Sequence, residues 1–467
     1  MLKIYNTLTK QKEEFNKPAG DKVRMFVCGP TVYDYPHIGH ARTYIVFDVI
    51  AKYLRYKGFE VEYLQNITDI DDKIIARAKE QGVSPKELAE KFEKIYTEDM
   101  ESLGIDSVSK YARATEHIPE IVSQVKRLIE KGFAYKIDND PNASAGAGGY
   151  YFDISSFPDY GKLSGRSVAQ AEDSVSRIDD SVAKRNKGDF ALWKFSNKDE
   201  AGWDTELGYG RPGWHIEDTA ISEKYFGDQY EIHCGAQDLM FPHHESEIAQ
   251  QEAASGKKPF VQLWLHSGLL TVDGKKMSKS LGNFVTIREV LKKYSPEAVR
   301  MMFLMSHYRS PVDYSEQNLK QAEAAVQRLG EFIERLKLSK GTSSGEDIIG
   351  STKSKFSEEV DDDFNTAKAI AGIFDLVREA NQIMNESGLG RESADKILTL
   401  LNEFNEILGI IPAKPQEIPE EVKNLVDQRE SLRKDKKYNE SDKLREQIKS
   451  LGYEVEDTVY GPLVKKL

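Results

Sequence analysis

The chain is short of several things that define other kinds of protein. Only two of its 467 residues are cysteine, Cys28 and Cys234. That is too few to staple so long a chain, and it suits a reducing compartment. No run of about 18 apolar residues occurs, so no stretch of the sequence is suited to cross a bilayer. The start, Met1-Leu2-Lys3-Ile4-Tyr5-Asn6, lacks the basic-then-apolar layout of a secretory signal, and a cytoplasmic protein is expected. Positive charge is also in deficit: 65 Lys and Arg face 77 Asp and Glu, a formal net charge of −12. This argues against a bulk electrostatic grip on nucleic acid, so any RNA contact must rest on local basic patches. No internal repeat is present.

What is present suffices for packed cores: 39% hydrophobic and 10% aromatic residues, in a length that allows two to four domains. Composition by itself suggests a small-molecule enzyme. The run Val23 to Cys28 stops at Gly29-Pro30 and reads as a buried strand. From Ala41, the positions Val46, Val49, Ile50, Tyr53 and Leu54 recur at helical spacing, and Gly58 is placed to end that helix. Val61, Tyr63 and Leu64 belong to a second strand that ends at Asn66. Strand, helix and strand in about 45 residues make a βαβ unit of a parallel sheet. Residues Lys73 to Gly132 read as mostly helical, with Asp71-Asp72 as acidic residues at a helix start. Residues 138–149 read as a turn-rich loop. The stretch from there to about Arg211, with Tyr150-Tyr151-Phe152 and the polar Val168 to Gly188, reads as an insertion. Tyr230 to Cys234 resumes the strand–helix pattern. From Pro296 the chain is helical, with a Ser/Gly/Lys-rich loop at 338–358. Pro412, Pro415 and Pro419 mark a linker, and a charged helical hairpin runs from Glu420.

Two segments carry chemistry. His37-Ile38-Gly39-His40 follows the first strand and opens the helix. Helix N-termini attract phosphate, and two imidazoles there can hydrogen-bond a triphosphate as its charge shifts. Gly39 lets a nucleotide approach the backbone. Asp273-Gly274-Lys275-Lys276-Met277-Ser278-Lys279-Ser280-Leu281-Gly282-Asn283 comes about 240 residues later. Lys276 and Lys279 on such a loop can close over a pyrophosphate. Taken singly, the first segment is two histidines in a loop and the second a solvated basic loop.

Together the two segments resemble the paired signature motifs of class I aminoacyl-tRNA synthetases. The resemblance implies a doubly wound, Rossmann-like parallel sheet that binds ATP, with Mg2+, at its carboxyl edge. It implies that an amino-acid carboxylate attacks the α-phosphate and that the aminoacyl group passes to tRNA. The flanks narrow it to the cysteine-specific family: Phe26-Val27-Cys28-Gly29-Pro30-Thr31-Val32-Tyr33-Asp34, Asn66 to Lys73, Gly210 to Glu217 and Asp238 to Glu245 are all similar to its members. The implied partners are L-cysteine, ATP and tRNA(Cys), with no membrane, in a monomer. The implied domains are a catalytic domain over 1–310 with an insertion at about 115–210, a helical bundle over 311–410 and an anticodon-binding domain over 411–467.

The resemblance also implies one zinc ion per chain, held by two cysteines, a histidine and a glutamate. Position by position these fall on Cys28, Asp218, His243 and Glu247. Asp218 departs from the family, which has cysteine after Trp-His-Ile-Glu. Aspartate can bind zinc, but as a harder and weaker ligand. Cys234 stands where the family has glycine; it either supplies the missing sulfur or is a small buried residue at a strand end. His244 and Glu245 read as structural neighbours of the site. Trp214 is either a cover over bound cysteine or a core tryptophan, and Thr68 and Asp238 would contact the substrate's polar groups. Arg429, Arg433, Lys434, Lys436, Lys437 and Arg445 on the final hairpin could contact phosphates or form a solvated face. Three alternatives share parts of this pattern: a cysteine ligase acting on an amino sugar, a methionine-specific relative and a non-catalytic RNA-binding paralogue.

Overall fold

Five short runs with alternating or continuous apolar character pair side by side in the computed structural model, which describes all residues except 139–147, 167–183, 279–280, 413–418, 459–460 and 467. Their order across the sheet is Val261–Ser267, Tyr230–Ala236, Lys22–Val27, Glu60–Ile67 and Lys110–Arg113, and every neighbouring pair is parallel. Such a sheet must be covered on both faces, which is why its strands read as nearly unbroken apolar runs. The chain leaves the central strand Lys22–Val27 towards one edge and later returns on its other side through Tyr230–Ala236. Strand order therefore reverses between these two strands, and in open α/β sheets ligands bind beside the carboxyl ends at such a reversal. This is the doubly wound arrangement expected from the sequence.

The helix Ile38–Tyr56 connects the first two of these strands, and Gly58 follows its end with φ 89°. The expectation of mostly helix from Lys73 to Gly132 needs one correction. Helices Asp72–Gln81, Pro85–Ser102 and Ile118–Glu130 are present, but Lys110–Arg113 is the edge strand. Four residues are too few to show a period, so only pairing with Leu64 to Ile67 makes them a strand. Asp71 caps its helix by accepting from the Lys73 N–H, as its acidic position suggested. A separate antiparallel sheet, Ala134–Ile137, Gly149–Phe152, Phe190–Phe195 and Gly210–Pro212, buries Phe152, Leu192 and Trp193. Most of the polar segment between Val168 and Gly188 lies outside the described residues.

The chain divides into two compact units. The first spans Met1–Lys293, with Tyr308–Tyr314 and Asp362–Phe364 returning to it; the second holds the rest. The second unit is helical, including Glu316–Leu338, Thr366–Glu386 and Arg391–Leu408, and it closes on the ribbon Tyr453–Thr458 with Gly461–Lys466. Leu319, Ala322, Val326, Leu329, Phe332 and Leu336 line one stripe of the first of these helices. The helix Glu346–Asp361 corrects the loop expected over 338–358: polar and small residues on its outer face masked Thr352, Phe356 and Val360, which it buries. Arg429 is also corrected. It is buried and bonded bidentately to Asp457 at 2.7 and 2.9 Å, so it clamps the tail and is not offered to phosphate.

Glu231, at the start of the second strand of the reversal, ties that strand to the central one. It accepts from the Arg24 backbone N–H and guanidinium and from Lys17, each at 2.9 Å. Burial alone would raise its carboxyl, but Arg24 and Lys17 bring it down from 4.5 to about 2. A depressed carboxylate stabilises the fold above its unfolded pKa and loses that contribution as pH falls towards the folded one. The Glu231→Gln variant is expected to lose about 3 kcal/mol at neutral pH. Its urea-denaturation midpoint should converge on that of the parent as pH falls from about 4.5 towards 2.

Candidate active site and metal centre

His37 caps the helix Ile38–Tyr56. Its Nδ1 accepts the Gly39 N–H at 3.1 Å, and His40 Nδ1 accepts the His37 N–H at 3.3 Å. The two rings consequently stack, with centroids 3.8 Å apart and planes 16° from parallel. A Cβ on Gly39 would lie 2.9 Å from His37 Nδ1, so the ring packs over this position only because it has no side chain. Burial, reinforced by His37, holds His40 well below its ordinary pKa, so its ring is neutral.

The second motif is brought to the first by backbone pairing. Strand Leu270–Val272 turns at Asp273-Gly274 into Lys275–Lys276, which leaves Lys276 exposed. Past the loop, the Ile38 N–H donates to the Val285 carbonyl at 3.0 Å and the Ile287 N–H to Pro36 at 3.1 Å. Met277 Cε would touch a Cβ placed on Gly39 at 3.6 Å. On the near side of the loop, the buried Arg42 guanidinium donates to the carbonyls of Leu269, Tyr308 and Ser310. Lys279 lies outside the described residues.

Cys28 directly follows the central strand at the reversal, and its N–H donates to the Cys234 carbonyl at 3.0 Å. Helix Trp214–Phe226 brings Asp218 to it; an irregular turn, Met240–His244, and helix Glu245–Ser255 bring His243 and Glu247. One ligand atom from each of Cys28, Asp218, His243 and Glu247 lies within 4.8 Å of all the others. His243 Nε2 is 3.2 Å from both Asp218 Oδ2 and Glu247 Oε1. The spacing of four does put His243 and Glu247 on one side, as expected. Asn66 organises the floor: its Oδ1 accepts the Gly29 N–H and its Nδ2 donates to Asp218 Oδ1, both at 2.6 Å. His243 Nδ1 faces His215 Nδ1 at 2.7 Å.

All four residues are at most 4% exposed, so three groups capable of negative charge are held out of water. Burial first, then Asp218 and Glu247, pushes the Cys28 thiol well up, and burial with Asp218 raises Glu247. Neighbouring acids on the same helix are matched: Glu245 accepts the Leu163 and Ser164 N–H groups, and Glu252 pairs with Lys162. Glu247 Oε2, by contrast, is buried and makes no hydrogen bond. A divalent cation would satisfy both the orphaned oxygen and the crowded acids.

The remaining candidates fall around this cluster or apart from it. Trp214 is 38% exposed and stacks on His243 with centroids 4.2 Å apart, so it is not a core tryptophan. Thr68 is buried and its hydroxyl donates to Glu217 Oε2 at 2.8 Å. Asp238 is exposed just past the carboxyl end of strand Tyr230–Ala236. Cys234 alternates with His233 along that strand and so points to the opposite face of the sheet; among the described residues it joins no ligand cluster.

Three family models match the chain. Residues 14–324 match the tRNA synthetases class I (C) catalytic domain, 355–412 the DALR domain and 416–459 the cysteinyl-tRNA ligase anticodon binding domain. The chain is 46% identical over 485 aligned residues to Cysteine--tRNA ligase of Thermococcus gammatolerans, covering 100% of this chain and 99% of that one. The chain belongs to the cysteinyl-tRNA synthetase family. Cysteine--tRNA ligase of Caldicellulosiruptor saccharolyticus is 44% identical with 100% of both chains covered. The fold also resembles that of methionyl-tRNA synthetase from Mycobacterium tuberculosis bound by methionyl-adenylate. That likeness has a TM-score of 0.62 at 15% identity and covers 83% of this chain and 92% of that one.

Sequence reasoning passed over His233 and read His244 as a structural or outer-sphere neighbour of the site. Both present Nε2 to Cys28 Sγ, at 3.3 and 3.1 Å. Glu245 is structural, as read. Asn66 was also missed in this role, although it sits in a stretch that marked the family. The Asn66→Ala variant of this synthetase should lose about 2–4 kcal/mol in urea denaturation, because a buried N–H and a buried carboxylate oxygen lose their partner together. Unchanged stability would show that water replaces the amide.

Proposed function

We infer that the Cys28 centre is where this chain selects cysteine, through a zinc ion held by Cys28, Asp218, His243 and Glu247. The family fixes the reaction: cysteine is activated with ATP to cysteinyl-adenylate and pyrophosphate, and is then passed to tRNA(Cys) for protein synthesis. The observation that carries the metal reading is the buried convergence of these four residues around the unbonded Glu247 Oε2. Zinc, when bound, supplies affinity for a thiolate that a neutral hydroxyl matches poorly, which separates cysteine from serine where shape cannot.

The chain's own residues support that task. Cys28 gives the one sulfur donor, and His215 orients His243 through its far nitrogen. Asn66 holds Asp218 with one oxygen turned towards His243. With one sulfur fewer than a two-cysteine site, the centre should hold zinc more weakly. Trp214, half out in solvent over His243, is placed to cover a bound amino acid. Thr68, fixed by Glu217, and Asp238 are assigned to the substrate's polar groups. His37, Gly39 and His40 receive the triphosphate at the helix N-terminus, where a neutral His40 can donate a hydrogen bond as charge develops. Lys276 and Lys279, with Mg2+, neutralise the departing pyrophosphate.

The same reading gives adenylation to residues 1–310, including the insertion at about 115–210. The bundle over 311–410 and the terminal domain over 411–467 position tRNA, and the chain acts as a monomer. The anticodon-domain match at residues 416–459 favours tRNA over an amino sugar as acceptor.

Two measurements test these assignments. The purified parent should carry one zinc per chain and exchange pyrophosphate with cysteine but not serine. Cys28→Ser should lose the metal and about a hundredfold of cysteine-over-serine preference. A metal-free parent that still rejects serine contradicts the reading. Gly39→Ala should lower kcat of exchange about a hundredfold while KM for cysteine stays within about threefold, since it disturbs the His37 stack and the approach of the nucleotide but not the Cys28 centre. A change confined to KM would remove the histidines from the chemical step.

A further inference from the structure

Cys28 and Glu247 belong to two donor sets, not one. The second is Cys28, His233, His244 and Glu247, whose ligand atoms also lie within 4.8 Å of one another, all buried. Among its edges are Cys28 Sγ to His233 Nε2 at 3.3 Å, Cys28 Sγ to His244 Nε2 at 3.1 Å, Cys28 Sγ to Glu247 Oε1 at 3.9 Å, Glu247 Oε2 to His233 Nε2 at 3.5 Å and Glu247 Oε1 to His244 Nε2 at 4.0 Å. Donors around a tetrahedral zinc are separated by roughly 3.3–3.7 Å, given metal–nitrogen and metal–sulfur bonds of about 2.0–2.3 Å. The second set therefore brackets the required spacing.

Both histidines are also oriented as ligands are. His233 Nδ1 is bonded to the Tyr230 hydroxyl at 2.6 Å, and His244 Nδ1 to His266 Nε2 at 2.8 Å. His266 is fixed in turn by the Thr7 hydroxyl at 2.9 Å. A far nitrogen that donates its proton to such a partner leaves Nε2 turned towards a metal with its lone pair free. The Glu247 carboxylate spans the two sets. Its Oε1 lies against His243, while its unbonded Oε2 lies against His233. Asp218, the residue that departs from the family's cysteine, contributes only to the first set and already gives one oxygen to Asn66.

We propose that His233 and His244 form a reserve ligand pair, which with Cys28 and Glu247 keeps the metal in this chain without relying on Asp218. The proposal rests on the metal reading above and deepens it. Asp218, a hard carboxylate ligand of the first set, becomes dispensable for metal retention, because two imidazoles stand on the other side of the shared Cys28 sulfur.

The test follows zinc content of the purified full-length chain, its release to a chelator, and the visible spectrum of the cobalt(II)-substituted protein. Asp218→Asn should retain one metal per chain, with release within about threefold of the parent and the thiolate-to-cobalt band preserved. Adding His233→Gln to Asp218→Asn should speed release at least about tenfold and shift the cobalt spectrum. Adding Tyr230→Phe instead, which leaves every donor in place but frees His233 Nδ1, should also speed release, by a smaller factor. This variant keeps the test decisive if the His233 double variant does not fold, as judged by circular dichroism. Loss of zinc from Asp218→Asn alone, with the parent loaded, overturns the reserve pair and leaves the metal reading intact. Retention in Asp218→Asn that neither His233→Gln nor Tyr230→Phe weakens overturns it as well. A parent that binds no metal overturns both.

Discussion

The Cys28 N–H donates to the Cys234 carbonyl, and the centre depends on that bond. It extends the pairing of the two strands between which strand order reverses by one residue beyond Val27. Cys28 Sγ is thereby fixed beside the face of the neighbouring strand that carries His233. Helix Trp214–Phe226 and helix Glu245–Ser255 then need only lie across this edge to deliver Asp218 and Glu247. Both are buried on almost every face, which explains why they carry polar residues that are bonded to one another and not to water. Gln250 donates to the His215 carbonyl and to Thr219, and Thr219 donates to Gln124. A polar network of this kind costs stability wherever a member is unpaired, and the unpaired oxygen of Glu247 is a group that a bound cation would satisfy.

Much of this was legible in the sequence, but not uniformly. The βαβ unit announced itself because both strands and the intervening helix are long enough to show their periods. The signature motifs could be joined only by resemblance, since nothing local predicts that Val285 pairs with Ile38 across about 240 residues. The His243–Glu247 spacing translated directly into adjacency because it is a helical repeat. His233 did not, because its neighbour is set by strand register: shifting the pairing by one residue would have offered Cys234 to the site in its place. The same alternation decides between the two readings of Cys234 in favour of a buried residue on the far face. Trp214 reads as apolar in sequence, and only its 38% exposure sets it apart from a core tryptophan.

Charge was the feature that sequence counting described least well. The net charge of −12 left local patches as the route to RNA, and the basic residues of the final hairpin read as either phosphate contacts or a solvated face. Arg429 instead is consumed inside the terminal domain by Asp457 and Glu430, and Arg433 approaches the same aspartate at 3.4 Å. Lys434, Lys436, Lys437 and Arg445 are left exposed. A count of charges along a helix says nothing about which are already neutralised by the next element, whereas burial does.

The separation of the two cysteines by a layer of sheet has a consequence for oxidation. A metal centre built on two thiolates can close into a disulfide once its ion is lost, and it then needs a reductant before it can reload. Here the position opposite Cys28 is a carboxylate, and Cys234, the chain's other thiol, faces the far side of the sheet. A disulfide requires its sulfurs about 2 Å apart with Cβ atoms facing one another, which this arrangement forbids without breaking the strand pairing. The emptied centre thus has no internal route to a dead end: its single thiol must first meet an outside oxidant and pass through a sulfenic acid. Under the metal reading proposed above, the substitution that weakens the hold on the ion also lets the chain lose and regain it with no redox repair.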